Sequence, residues 1–378
     1  FMSANKIDAW LVYDYEGMNP TLETITHPLI NVTRPAFALV PNSGTPIILV
    51  HSVDAGRFNL PGWSVVSYQG HVDLLGKLRH LISPKWTIAM EYSPNARLPR
   101  VSRVDAGTIE LIRSLTSDIV SSADLLQFST QRWGDKGLEF HQTAADQLGR
   151  IVLESFEKIG DDLTKGITEY DIAEFIREEF QKNSLWTDAG PVVAVNEHSS
   201  DPHFEPTEDV AKRFSPGDWV LIDLWARDPN PNGVFADITW TAFIGDQVPP
   251  KIEHVFQIVI QARDLAIEFG HRELSAGRPI FGYQLDQVAR TFIERSGYGD
   301  FFSHRTGHSL GREVHANGAN IDSLETYDTR TLIPGLGFTI EPGIYLPEFG
   351  VSSEVDLYVK EDGLQLTSPI QKEVILIG

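Results

Sequence analysis

SHRTGHSLGREVH, residues 303 to 315, carries His304, His308 and His315 among glycines, and its meaning depends on four carboxylates elsewhere in the chain. Asp223 lies in VLIDLW, Asp237 in VFADITW, Glu341 in FTIEPGIY and Glu354 in GVSSEVDLYV. Each acid interrupts a run that otherwise reads as a buried strand. A buried carboxylate is costly to desolvate unless a cation offsets it. Four acids with the imidazole of His308 make an oxygen-rich, one-nitrogen set suited to two divalent metal ions.

Composition bounds what such a site can belong to. The 378 residues are enough for two domains, and 42% apolar residues are enough for sizeable cores. Thirty-one basic against 52 acidic residues give a net charge of -21, which repels nucleic acid and anionic lipid surfaces. No apolar run is long enough for a membrane span. Without cysteine there is neither a disulfide framework nor a thiolate zinc site, and no basic segment precedes an apolar one at the start. A soluble, cytoplasmic chain is therefore expected. The opening Phe1-Met2-Ser3 reads as an appended residue followed by an initiator methionine and is expected to contribute nothing to the fold.

From Asp8 to about Thr130, short apolar runs alternate with amphipathic stretches, the pattern of an α/β domain. AWLVYD, FALVPN, PIILVH, WSVVSY, WTIAMEY and DIVSSA read as strands, with a hairpin turn at Asn42-Ser43-Gly44; HVDLLGKLRHLI and RVDAGTIELIRSL read as helices. His51, His71 and His80 in this half carry no local signal beyond ordinary surface or packing histidines. A charged stretch at Gln131 to Lys136 marks a boundary, which predicts domains over 4–131 and 136–378. Helices are then expected at Leu138 to Ile159 and, capped by Thr168 with Asp171 at its third position, from Glu169 to about Gln181. Asp223 and Asp237 sit on two apolar runs joined by RDPNPNG, a hairpin that lets the two carboxylates face one another. Two more amphipathic helices, Ile252 to Phe269 and Tyr283 to Ser296, precede the histidine stretch and hint at an internal repeat of the same order.

HRTGHSLGREVH, FTIEPGIY and the ordered aspartate pair resemble the pita-bread metallopeptidases, the superfamily of aminopeptidase P, prolidase, methionine aminopeptidase and creatinase. The resemblance runs from about Lys136 to the C-terminus, and the N-terminal half is similar to the extra domain of the aminopeptidase P and prolidase branch. It implies an α+β chain: a C-terminal pita-bread fold preceded by an α/β creatinase-like N-terminal domain. It further implies that Asp223, Asp237, His308, Glu341 and Glu354 hold two metal ions, manganese first, with cobalt or zinc able to use the same ligands. His203 in the DPH turn, His304 and His315 match the histidines that polarise the scissile carbonyl, hold the tetrahedral diolate and handle the proton at the leaving nitrogen. Taken singly, each would be a hydrogen-bonded loop histidine. Gly307 and Gly311 beside His308 fit a close backbone approach, and Pro342-Gly343 ends a strand after Glu341.

The implied reaction is hydrolysis of the bond between an N-terminal residue and a following proline, with water activated by two metals and Glu341 moving the proton. The implied partners are a short peptide with proline second and a second copy of the chain in a homodimer, the N-terminal domain covering the cleft. The interval from Asp223 to Asp237 is longer than usual in the superfamily. Ser352 and Trp240 stand where many relatives have arginine, removing forks that bind carboxylates. Those two positions keep open a metal-dependent lyase or a hydrolase of non-peptide amides or esters. A non-catalytic binding module fits less well with an intact ligand set.

Overall fold

The computed structural model describes residues 1–26 and 32–378, which divide into two compact units, Phe1–Thr130 and Gln131–Gly378. In the first unit the six expected strands form one sheet: β1 (Ala9–Asp14), β2 (Ala36–Pro41), β3 (Ile47–His51), β4 (Ser64–Tyr68), β5 (Thr87–Met90) and β6 (Asp118–Ser121), in the order β4-β3-β2-β1-β5-β6. The β2–β3 hairpin turns through Gly44 at φ +110°, a conformation that favours glycine. Buried Glu91, just past β5, ties the sheet end together: Trp10 and Ser122 donate to one of its oxygens at 2.6 and 2.9 Å and Asn19 to the other at 3.2 Å.

The second unit places a pair of helices against each of two sheets. The Asp135–Asp162 and Glu169–Lys182 helices pack on a sheet ordered β16-β9-β8-β7, where β7 is Val192–Val195, β8 Trp219–Ala226, β9 Ala236–Ile244 and β16 Ile375–Ile377. Thr168 caps the second helix in a reciprocal box with Asp171, satisfying N–H groups the helix itself leaves open. The Pro250–Ser275 and Gly282–Arg295 helices, the first longer at both ends than its periodicity marks, back a sheet ordered β10-β11-β14-β15, with β10 Ser309–Leu310, β11 Gly337–Ile340, β14 Val355–Lys360 and β15 Gly363–Leu366. A short pair, β12 (Gly343–Leu346) and β13 (Phe349–Ser352), lies between. The order helix, helix, strands thus occurs twice. No helix of the described residues is long and apolar enough to cross a membrane.

Strand periodicity explains how polar groups enter this core. On β8 and β9, Val220, Ile222, Leu224, Ile238, Trp240 and Ala242 face the helices, so Asp223, Asp237 and Thr239 emerge on the opposite face. On β14, Val355, Leu357 and Val359 enter the helix-backed core, which turns Glu354 and Asp356 the other way. Both sheets therefore offer their carboxylates to the side their helices do not cover.

Candidate metal centre

The expected β8–β9 hairpin forms, but its register sets Asp223 opposite Thr239 and Asp237 opposite Trp225. The two aspartates are diagonal rather than facing, still on one face of the sheet and within reach of each other. Glu341 and Glu354 lie at strand joints instead of strand interiors. Glu341 follows β11 and is held there by its N–H donating to the Thr306 carbonyl at 2.7 Å; Glu354 sits between β13 and β14. His308 precedes the short β10, where its N–H donates to the Thr339 hydroxyl at 3.0 Å and its carbonyl accepts from Thr339 N–H at 2.9 Å. Gly307 makes that approach possible, because even an alanine Cβ there would lie 2.0 Å from the Thr339 carbonyl oxygen.

The result is one cluster. Asp237, His308 and Glu354 each present an atom within 4.8 Å of the others, and His308 Nε2 lies 3.3 Å from Glu341 Oε1 and 3.6 Å from Asp237 Oδ2. Asp223 lines the same cavity of about 1060 Å³, as do His203, His304 and His315. His203 is exposed on its wall, and His315 sits edge-on to His308 with ring centroids 4.3 Å apart. His304 is fixed at both nitrogens: Nδ1–H donates to the Arg305 carbonyl at 2.7 Å, so Nε2 accepts from the Tyr345 hydroxyl at 2.8 Å. The cavity also includes Ser352, whereas Trp240 points away into the helix-backed core. His198, from the same turn as His203, pairs with buried Glu169 and stacks on Phe204, a structural arrangement.

Several contributors escaped the motifs. Thr239 donates to Glu354 Oε2 at 2.8 Å, Thr339 donates to Glu341 Oε1 at 3.1 Å, and buried Asp356 accepts the Asp237 backbone N–H at 3.1 Å. Each lies two residues from one of the named acids, so the strand period was the signal that could have found them.

The donor set fits divalent cations on its own chemistry. Asp223 Oδ1, Asp237 Oδ1 and Glu354 Oε1 are buried oxygens without a hydrogen-bond partner, the atoms a cation would satisfy. Burial drives Asp223 up to about 7, against hydrogen bonds with Thr239 and Asp237 that hold it down, and drives Glu341 up to about 8, where the Asp223 charge adds to the rise. Asp237 and Glu354 are also held well above the usual carboxylate range, by burial first and then by the surrounding acids. Burial pushes His308 well below its ordinary value, the neutral form that ligates. Metal-free, the cluster must therefore carry protons.

That requirement gives a signed pH dependence. Carboxyls raised in the folded state contribute stability below their unfolded values, near 4, and lose it as pH rises through about 7 to 8. Chelator-treated protein is expected to melt at progressively lower temperature between about pH 5 and pH 8, and added divalent ion should remove the trend. Melting curves across that range decide it; a metal-free Tm that does not fall would contradict the cluster's electrostatics.

The comparisons with known proteins agree with this geometry. The model of metallopeptidase family M24 matches residues 144–361. A putative dipeptidase, YkvY of Bacillus subtilis, is 35% identical over 217 residues, 57% of this chain and 55% of that protein. A Xaa-Pro dipeptidase of Pyrococcus horikoshii is 30% identical over 243 residues, 64% of this chain and 63% of that protein. The matches thus span little more than half the length of these relatives. The solved X-Pro aminopeptidase of Thermotoga maritima is 25% identical and superposes with a TM-score of 0.62 over 98% of both chains, sharing the α+β pita-bread fold and the domain before it. With the family model covering more than half of the sequence and enclosing Asp223, Asp237, His308, Glu341 and Glu354, the chain belongs to metallopeptidase family M24.

Proposed function

We propose that this chain hydrolyses the peptide bond between an N-terminal residue and a following proline, with Asp223, Asp237, His308, Glu341 and Glu354 holding two divalent ions. The observation that carries the reading is the set of buried, unpartnered carboxylate oxygens gathered with His308 on one cavity. The names of the Pyrococcus horikoshii and Thermotoga maritima relatives support the proline preference. Bound ions would supply a water of lowered pKa and polarise a carbonyl oxygen, manganese being the first choice for so many carboxylates and cobalt or zinc able to substitute.

The chain's own groups do the rest. Glu341 takes a proton from the attacking water and passes it to the leaving nitrogen; the Thr339 hydroxyl on Oε1 orients it. His315 and His203, on the cavity wall, donate to the oxygen that becomes anionic. His304, whose Nε2 accepts from Tyr345, orients that hydroxyl toward the cavity and acts through it. The division of the chain proposed alongside is an N-terminal domain over 4–131 and a catalytic domain over 136–378.

A metal-dependent lyase or a non-peptide amide or ester hydrolase is the rival, and Ser352 in the cavity wall is the observation that favours it. Xaa-Pro dipeptides, longer Xaa-Pro peptides and esters, each assayed with added manganese, separate the two. Xaa-Pro cleavage is expected, with His315→Ala and His203→Ala retaining metal and losing ~10²–10³ in kcat. Ester turnover without Xaa-Pro cleavage would overturn the proposal, and wild-type kcat in both variants would remove the histidines' roles.

A homodimer belongs to the same proposal, since a closed two-fold pair is the commonest assembly among homo-oligomeric proteins. Light scattering at micromolar concentration should read twice the chain mass. A value that stays at 42.2 kDa across a dilution series would refute it.

A further inference from the structure

We propose that Arg305 binds the free C-terminal carboxylate of the substrate, which makes the reaction that of a dipeptidase; this rests on the peptidase reading above. Two arginines line the cavity among the described residues, Arg177 and Arg305. Arg177 is committed elsewhere, donating from Nε to the Gly190 carbonyl at 3.2 Å and held by Glu174. Arg305 is not. Its guanidinium approaches the Glu325 carboxylate only to 3.7 Å, longer than a hydrogen bond, while the 3.0 Å bond between these residues comes from the Arg305 backbone N–H. A planar fork of donors is thus left for a ligand, and a carboxylate is the group that matches it in two parallel bonds.

Position and surroundings make that ligand the substrate's own terminus. Arg305 follows His304 and lines the same cavity as Glu341. The fork therefore opens on the space that holds the group that would serve the scissile bond. The remaining charged wall is acidic, with Asp188 and Glu205 able to attract an ammonium group. One available cation in an acid-lined cavity suits a zwitterion with its two charges a residue or two apart. Ser352 leaves no guanidinium at the position where many relatives keep one, so Arg305 carries this recognition alone. A longer peptide would offer a neutral amide there and leave the arginine without its partner, which is the basis for discrimination.

N-acetylproline and N-acetylprolinamide test the assignment, because they differ only in the carboxylate and neither has the free amine of a substrate. Calorimetry on the full chain should show the acid bound roughly tenfold to a hundredfold more tightly. In Arg305→Gln the preference should vanish at unchanged Tm, and Arg305→Lys should recover part of it, keeping the charge without the fork. Glu325→Gln, which removes the competing carboxylate, should sharpen the preference. Equal binding of both ligands by the wild type, or a preference that survives in Arg305→Gln, overturns the proposal. Kinetics on Ala-Pro and its amide separate this from the underlying reading: equal kcat/KM on the two leaves a peptidase without the dipeptide restriction, whereas cleavage of neither sinks the peptidase reading while the calorimetry still judges Arg305.

Discussion

Four carboxylates and an imidazole crowd one cavity wall in this protein, three of the five buried, and the second unit is built around making that arrangement tolerable. Buried like charges a few ångströms apart cannot all ionise, so protons or cations must neutralise them. The fold answers with threonine hydroxyls on Glu341 and Glu354 and a close contact through Gly307, which fix the cluster's shape but leave one oxygen each of Asp223, Asp237 and Glu354 unsatisfied. Those oxygens define a demand for positive charge that the surrounding side chains do not meet. Metal binding is the physical reading of that demand, and the family to which the chain belongs is consistent with it.

Much of this was legible in the sequence because it is written in local patterns. The strands of the first unit fall where apolar runs end at turn residues, and Thr168 announces its helix through a reciprocal bond with Asp171. Asp223 and Asp237 stand out because acids are rare in runs as apolar as theirs. What local pattern leaves open is register. The diagonal placement of the two aspartates is set by the hairpin connection and the twist of the sheet, neither of which a period of two encodes. Thr239, Thr339 and Asp356 escaped notice for a related reason: each shares a strand face with a named acid, yet a threonine in a strand is ordinary until its neighbour is known to be a carboxylate.

The two departures from the superfamily pattern prove unequal once strand faces are known. Trp240 is one residue from Thr239 and so points into the helix-backed core, where it fills apolar space and does not touch the cavity. Ser352 does line the cavity. Of the changes that raised a non-peptide substrate, only the second alters the chemistry a substrate meets, and it does so by removing a cation from a wall that is already acidic. Arg305 stands within the histidine stretch, but what a guanidinium faces is a tertiary fact that no spacing reveals.

The central claim is that these side chains form a two-metal centre, and metal analysis after reconstitution with manganese tests it most directly. Wild-type protein should hold two ions per chain, and Asp237→Ala and Glu354→Ala should each hold fewer. Two ions per chain in both variants, the same as in the wild type, would contradict the account.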